Sequence, residues 1–121
     1  MKTKLSTMLF LLATFLPLST TAGTFNCVGK LNYVGMSASG GVVIGIENSA
    51  SVHAICNTVT QGSFQVLPSV CKSMYGTLLA ARIAQSQVRT YYYNDPLLSS
   101  CSQIAAWSVL PSFGFVELAN W

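Results

Sequence analysis

Side chains able to do chemistry are few in this sequence. It holds one histidine, His53, and three carboxylates, Glu47, Asp95 and Glu117. No two of these lie close enough in sequence to suggest a paired acid and base, and a single imidazole among scattered carboxylates offers no metal-ligand spacing. Four cysteines, Cys27, Cys56, Cys71 and Cys101, are separated by 29, 15 and 30 positions. Without a C-x-x-C pair, neither a zinc ribbon nor a thioredoxin-type redox centre is offered. Gly35-Met36-Ser37-Ala38-Ser39-Gly40 approaches a nucleophile elbow, but it precedes a strand rather than a helix. Phosphate loops, dinucleotide fingerprints and calcium loops have no match. The expectation is a protein that is not an enzyme and uses no cofactor or metal, with His53 in a structural role.

Aromatic side chains carry the remaining signal. Tyr91-Tyr92-Tyr93 runs directly into Asn94-Asp95, which sets aromatic faces beside hydrogen-bonding groups at a strand end. Such a pairing can stack on a sugar ring while engaging its hydroxyls. The competing reading makes alternating tyrosines ordinary residues of a β-barrel. Strand parity places Val88, Thr90 and Tyr92 on one face and Arg89, Tyr91 and Tyr93 on the other. Trp107 and Trp121 read as packing residues.

These positions need a frame. Residues 24–34 alternate loosely, with Phe25, Cys27, Leu31 and Tyr33 on one parity and Asn26, Lys30 and Asn32 on the other, as in a half-buried strand. Residues 36–41, ending Gly40-Gly41, form a turn. Residues 42–47 make a second strand, 48–50 a turn and 51–56 a third strand. From 68 to 85 the period changes: Val70, Met74 and Leu78, with Cys71, Tyr75, Leu79 and Ile83, form one apolar stripe on a helix. Pro68 suits its first turn and Ser69 its cap, and Gly76 suits close packing on the sheet. Residues 87–93 return to strand and Asn94-Asp95-Pro96 ends it. Residues 99–111 stay ambiguous between element types, and 113–118 make a last strand. The order β-β-β-α-β-β predicts a mainly β fold: a five-stranded OB-fold-like barrel with its one helix between strands three and four.

Composition bounds the rest. The chain has 121 residues, 51% hydrophobic and 7% charged, with net charge +3. Residues 1–22 read as a removable export signal. Lys2 and Lys4 precede an apolar run from Leu5 to Leu18, and Ser19-Thr20-Thr21-Ala22 supplies small residues for cleavage. That run is shorter than the ~20 residues a membrane span needs. Residues 23–121 then form a single domain with no further transmembrane segment, bound for the periplasm or secreted. Its four basic residues (Lys30, Lys72, Arg82, Arg89) face three acidic ones, which gives no basic face for nucleic acid. An even cysteine count in an oxidising compartment implies two disulfides, and spacing leaves all three connectivities open. So few charges on the surface suggest that apolar area is buried between copies in a homo-oligomer.

Val88-Arg89-Thr90-Tyr91-Tyr92, preceded by Leu78-Leu79-Ala80-Ala81, resembles the B subunits of AB5 toxins of the subtilase-cytotoxin type. The same passage is similar to small secreted Gram-negative OB-fold proteins with a cysteine on either side of it. This resemblance implies a pentamer without catalytic activity that binds a cell-surface glycan beside an A subunit. It implies a sugar contact at Tyr92, with Tyr91, Arg89 and Asn94 as its neighbours. It also implies a Cys56–Cys101 bridge, with Cys27–Cys71 as the additional one. The alternative function is a periplasmic or secreted structural or protein-interaction module with no glycan site.

Overall fold

A computed structural model describes residues 23–119; the export-signal reading and Trp121 fall outside them. The elements are β1 (Gly23–Met36), β2 (Gly41–Ile46), β3 (Ala50–Asn57), α1 (Pro68–Ala84), β4 (Gln87–Asp95), a 3₁₀ turn (Cys101–Gln103), β5 (Ser108–Val109) and β6 (Phe113–Leu118). The fold is mainly β, and its one α-helix lies between the third and fourth strands as expected. The six strands form one open sheet in the order β5-β3-β2-β1-β4-β6.

β1 is the spine. Between Gly23 and Lys30 it pairs antiparallel with β4, and between Leu31 and Met36 it pairs antiparallel with β2. A 14-residue strand that changes partner midway must coil, so the sheet folds across its own inner face. Phe25, Cys27 and Leu31 point into that interior and are buried. Tyr33 shares their parity but is exposed, because a register shift between Leu31 and Tyr33 turns the following residues over. The β1–β2 turn depends on Gly40 at φ 90°, and Asn48 at φ 57° serves the β2–β3 turn, a conformation asparagine tolerates better than most residues.

The expected last strand, 113–118, is β6, and the ambiguous segment before it adds a short strand of its own, β5. Ser108 and Val109 pair parallel with β3, whereas 113–118 pair antiparallel with β4. Between them the Phe113 amide bonds the Leu110 carbonyl at 3.2 Å. Pro111, which has no N–H to give a ladder, occupies the break. β5 and β6 therefore stand at the two ends of the ladder.

Helix α1 covers one opening of the coiled sheet. Cys71, Leu78 and Ala81 are its buried residues, and Met74 and Tyr75 pack against the core. The apolar stripe is narrower than its sequence period suggested: Val70 is exposed and Ile83 is 83% exposed. Gly76 faces open space rather than the sheet. Leu67, not Ser69, is the N-cap, and no side chain caps the helix. Its last turn ends on Gln85 at φ 54°, whose amide returns to the carbonyls of Ala81 and Arg82, a left-handed C-terminal stop.

Two disulfides close the structure, but not in the expected pairing. The bonds are Cys27–Cys101 and Cys56–Cys71, each with Cα atoms 5.8 Å apart; Cys56–Cys101 and Cys27–Cys71 are not formed. The reason lies in the connections. The loop after β3 returns the first turn of α1 directly over the end of β3, so Cys71 meets Cys56. The chain after β4 folds back against the start of β1, so closely that a Cβ on Gly23 would run into the Leu98 carbonyl. That return carries Cys101 onto Cys27. Closing loops of 15 and 74 residues restricts the unfolded chain by roughly 3 and 4 kcal/mol respectively. A non-reducing peptide map should show these two linkages only. Replacing Cys56 and Cys71 together by alanine should lower stability by about 2–3 kcal/mol in urea unfolding, with the Cys27–Cys101 peptide still present.

Candidate functional site

Three tyrosines in succession on β4 divide between the two faces of the sheet. Val88, Thr90 and Tyr92 point inward and are fully buried. The Tyr92 ring stacks on Phe25 at 4.8 Å and meets Phe113 edge-on at 5.7 Å. Its hydroxyl lies 2.6 Å from Nε2 of His53 and 3.2 Å from Oγ1 of Thr90. Tyr92 therefore belongs to the core and cannot touch a sugar, because parity turns it away from solvent.

His53 completes that interior network. Its Nδ1 is 2.6 Å from the Ser51 carbonyl, which can only accept, so Nδ1 carries the proton. Nε2 of the neutral ring then accepts from the Tyr92 hydroxyl. Burial pulls the His53 pKa below its ordinary value, against the opposing effect of the Ser51 carbonyl. Burial also drives the Tyr92 hydroxyl well above the usual tyrosine range, although the Thr90 hydroxyl works the other way. The structural role expected of His53 is the one the geometry shows.

Outward-facing residues of β4 meet β6. The Tyr91 hydroxyl donates to Oε1 of Glu117 at 2.8 Å. Arg89 approaches the same oxygen at 3.6 Å and the Tyr91 hydroxyl at 3.4 Å. The Tyr91 and Tyr93 rings stack at 6.2 Å with 8° between planes, and Phe115 flanks Tyr91 at 5.6 Å. Tyr93 lies flat against Gly114, where a Cβ would come within 2.5 Å of the ring.

Beyond Tyr93 the strand ends in a pocket of ≈ 450 Å³. Tyr93 and Asn94 form part of its wall, together with Gln65, Gln103, Ser63 and Ser108. Asn94 adopts φ 54° at an irregularity in β4, one residue before Asp95 makes the last pairing, with Gly23. Asp95, the sole ionisable carboxylate or base lining the pocket, is already occupied. Its Oδ1 accepts the amides of Leu97 and Leu98 at 2.9 and 2.7 Å, and its Oδ2 accepts the Ser112 hydroxyl at 2.7 Å. Burial would raise its pKa, but these three bonds outweigh burial and hold the carboxyl below its ordinary value. Gln65 Nε2 reaches the carbonyls of Tyr93 and Ser112 at 3.3 and 3.4 Å, and Gln103 Oε1 accepts the amides of Ser99 and Ser100 at 2.7 and 3.1 Å. Among the described residues the Asn94 carboxamide bonds no other group, which leaves it open to the pocket.

Comparison with protein families, curated proteins and solved structures returns no match.

Of the four residues expected at a sugar site, Asn94 lines the pocket. Tyr91 and Arg89 lie in the ionic cluster on the outer face, and Tyr92 is inside. Gln65, Gln103 and Tyr93 share a mostly apolar wall with Pro96, Leu97, Leu98, Val109 and Leu110. Gln65 and Gln103 carried no sequence signal, since single glutamines in connecting segments are ordinary. A second cleft of ≈ 330 Å³ gathers Lys30, Asn32, Glu47, Arg82 and Gln85. Among the described residues no group of three or more His, Cys, Asp or Glu could hold a metal, and no helix is long and apolar enough to cross a membrane.

Tyr92→Phe should leave Nε2 of His53 without a partner in a dry interior and lower stability by about 1–3 kcal/mol, measured by urea unfolding. Acid should act on the same network. The folded state holds His53 neutral below the unfolded value of 6.5, so the unfolded chain binds the extra proton. Stability should be level above about pH 7 and fall as pH drops below ~6.5, by at most about 1.4 kcal/mol per pH unit. His53→Gln should flatten that slope, and Asp95 should contribute only at lower pH.

Proposed function

We propose that this chain is an exported, non-enzymatic binding protein whose ligand is a neutral saccharide held in the pocket at the end of β4. One observation carries this reading: the wall joins Tyr93 and a mostly aliphatic lining to neutral hydrogen-bonding groups, and its one carboxylate is saturated by protein donors. Sugar rings present apolar C–H faces between hydroxyls and match such a wall. An anion would find no cation there, and a cation would have to displace three bonds from Asp95. The pocket volume lies within the ordinary range for small-ligand sites.

Other features agree. The two disulfides belong to oxidising compartments, in line with an export signal over residues 1–22 and a periplasmic or secreted destination. The strand order, the helix position and the contact of 108–118 with both ends of the ladder support an OB-fold-like relationship. A second reading, a module that associates with itself or another protein, is favoured by the exposed Val70 and Ile83 on α1.

A glycan array probed with purified protein, its mass checked by light scattering, tests both readings. Binding to neutral glycans is expected. Asn94→Gly keeps the left-handed backbone while removing the carboxamide, so it should weaken binding by about tenfold and leave melting nearly unchanged. A blank array would overturn the saccharide reading, and a blank array with a multimeric mass would favour self-association.

A further inference from the structure

Trp107 is the most exposed aromatic among the described residues, at 66%, and its backbone is strained to hold it there. Its φ is 64°, a left-handed conformation that is a genuine outlier for a bulky side chain. Its amide is tied to the Val52 carbonyl at 2.6 Å, so the strain is imposed by pairing along β3. Observed strain of this kind is a pointer to function, and Trp107, read from the sequence as a packing residue, is mostly exposed.

The ring is not isolated. It meets Tyr33 edge-on, with centroids 5.7 Å apart and 82° between planes. Tyr33 lies over Gly35, where a Cβ would approach Cε1 to 3.0 Å and the hydroxyl to 3.1 Å. Tyr93 is likewise close to a glycine, Gly114, and both tyrosines are exposed. Two places further along the chain, Val109 is exposed and also lines the pocket. Exposed Tyr33, Trp107 and Val109 thus lie next to the pocket in chain order, since Ser108 and Val109, directly after Trp107, line it.

The geometry points to a second saccharide-stacking subsite formed by Trp107 and Tyr33, so that the ligand is an oligosaccharide reaching from the pocket across Val109. This rests on the saccharide reading of the pocket and specifies its substrate class as a chain of at least two rings. An exposed indole suits stacking on the apolar face of a further sugar ring.

The test uses an array carrying mono- to tetrasaccharides, with wild type, Trp107→Gly and Asn94→Gly. Glycine is the informative substitution at 107, because it removes the ring and relieves the positive φ. Wild type should prefer chains of two or more rings over the corresponding monosaccharide. Trp107→Gly should melt at the same or a higher temperature and lose about fivefold to tenfold on the longer chains, with monosaccharide binding unchanged. In a Trp121→Phe background the remaining tryptophan emission should shift on adding a longer glycan that binds. Equal binding of long glycans by wild type and Trp107→Gly would overturn the subsite and leave the pocket standing. A blank wild-type array would overturn both. Dissociation of a wild-type multimer by Trp107→Gly, with glycan binding intact, would assign the patch to self-association instead.

Discussion

The bond between Nε2 of His53 and the Tyr92 hydroxyl joins β3 to β4 across the interior. These strands are not neighbours in the ladder; β2 and β1 lie between them. Their side chains meet only because β1 bends the sheet over on itself. In so small a core, a buried imidazole and a buried phenol are each costly unless satisfied. Together with the Ser51 carbonyl and Thr90 they satisfy one another. The coil of the sheet, the inward parity of β4 and the neutral state of His53 are therefore one constraint.

Consequences for the surface follow from parity. With Tyr92 fixed inside, Tyr91 and Tyr93 must face outward, and Asn94 makes a left-handed turn just before Asp95, where β4 ends. Asp95 then closes that turn on the amides of Leu97 and Leu98 and holds the β5–β6 break through Ser112. The same side chain that organises the pocket is thereby removed from ligand chemistry. The chain that departs from Asp95 returns to β1, where Cys101 bonds Cys27. Core, disulfide and pocket are successive parts of one path.

Much of this could be read from residue order. The alternation of Val88, Thr90 and Tyr92 against Arg89, Tyr91 and Tyr93 separates core from surface correctly, and the change of period at Pro68 places the helix. Tyr92 failed as a sugar contact because a matching string does not say which face a residue occupies, whereas parity does. The disulfides could not be read at all from spacing, since the pairing is set by how two irregular connections return. Tyr33 was misplaced by a register shift that period-two counting does not see. The short β5 was not legible, because two residues of pairing on β3 are too few to leave a period in the sequence. Trp107 illustrates the same limit, because a positive φ imposed by a hydrogen bond to β3 leaves no mark in composition.

The central claim is that ligand meets the open end of β4 while the His53–Tyr92 interior stays shut. Heteronuclear NMR of the uniformly ¹⁵N-labelled protein, titrated with an array-selected glycan, tests this directly through side-chain amide signals. The expected result is displacement of the Asn94, Gln65 and Gln103 carboxamide resonances, with the His53 ring nitrogens unmoved. Displacement confined to residues around Lys30, Glu47 and Arg82, or a moving His53 ring with the three carboxamides still, would contradict it.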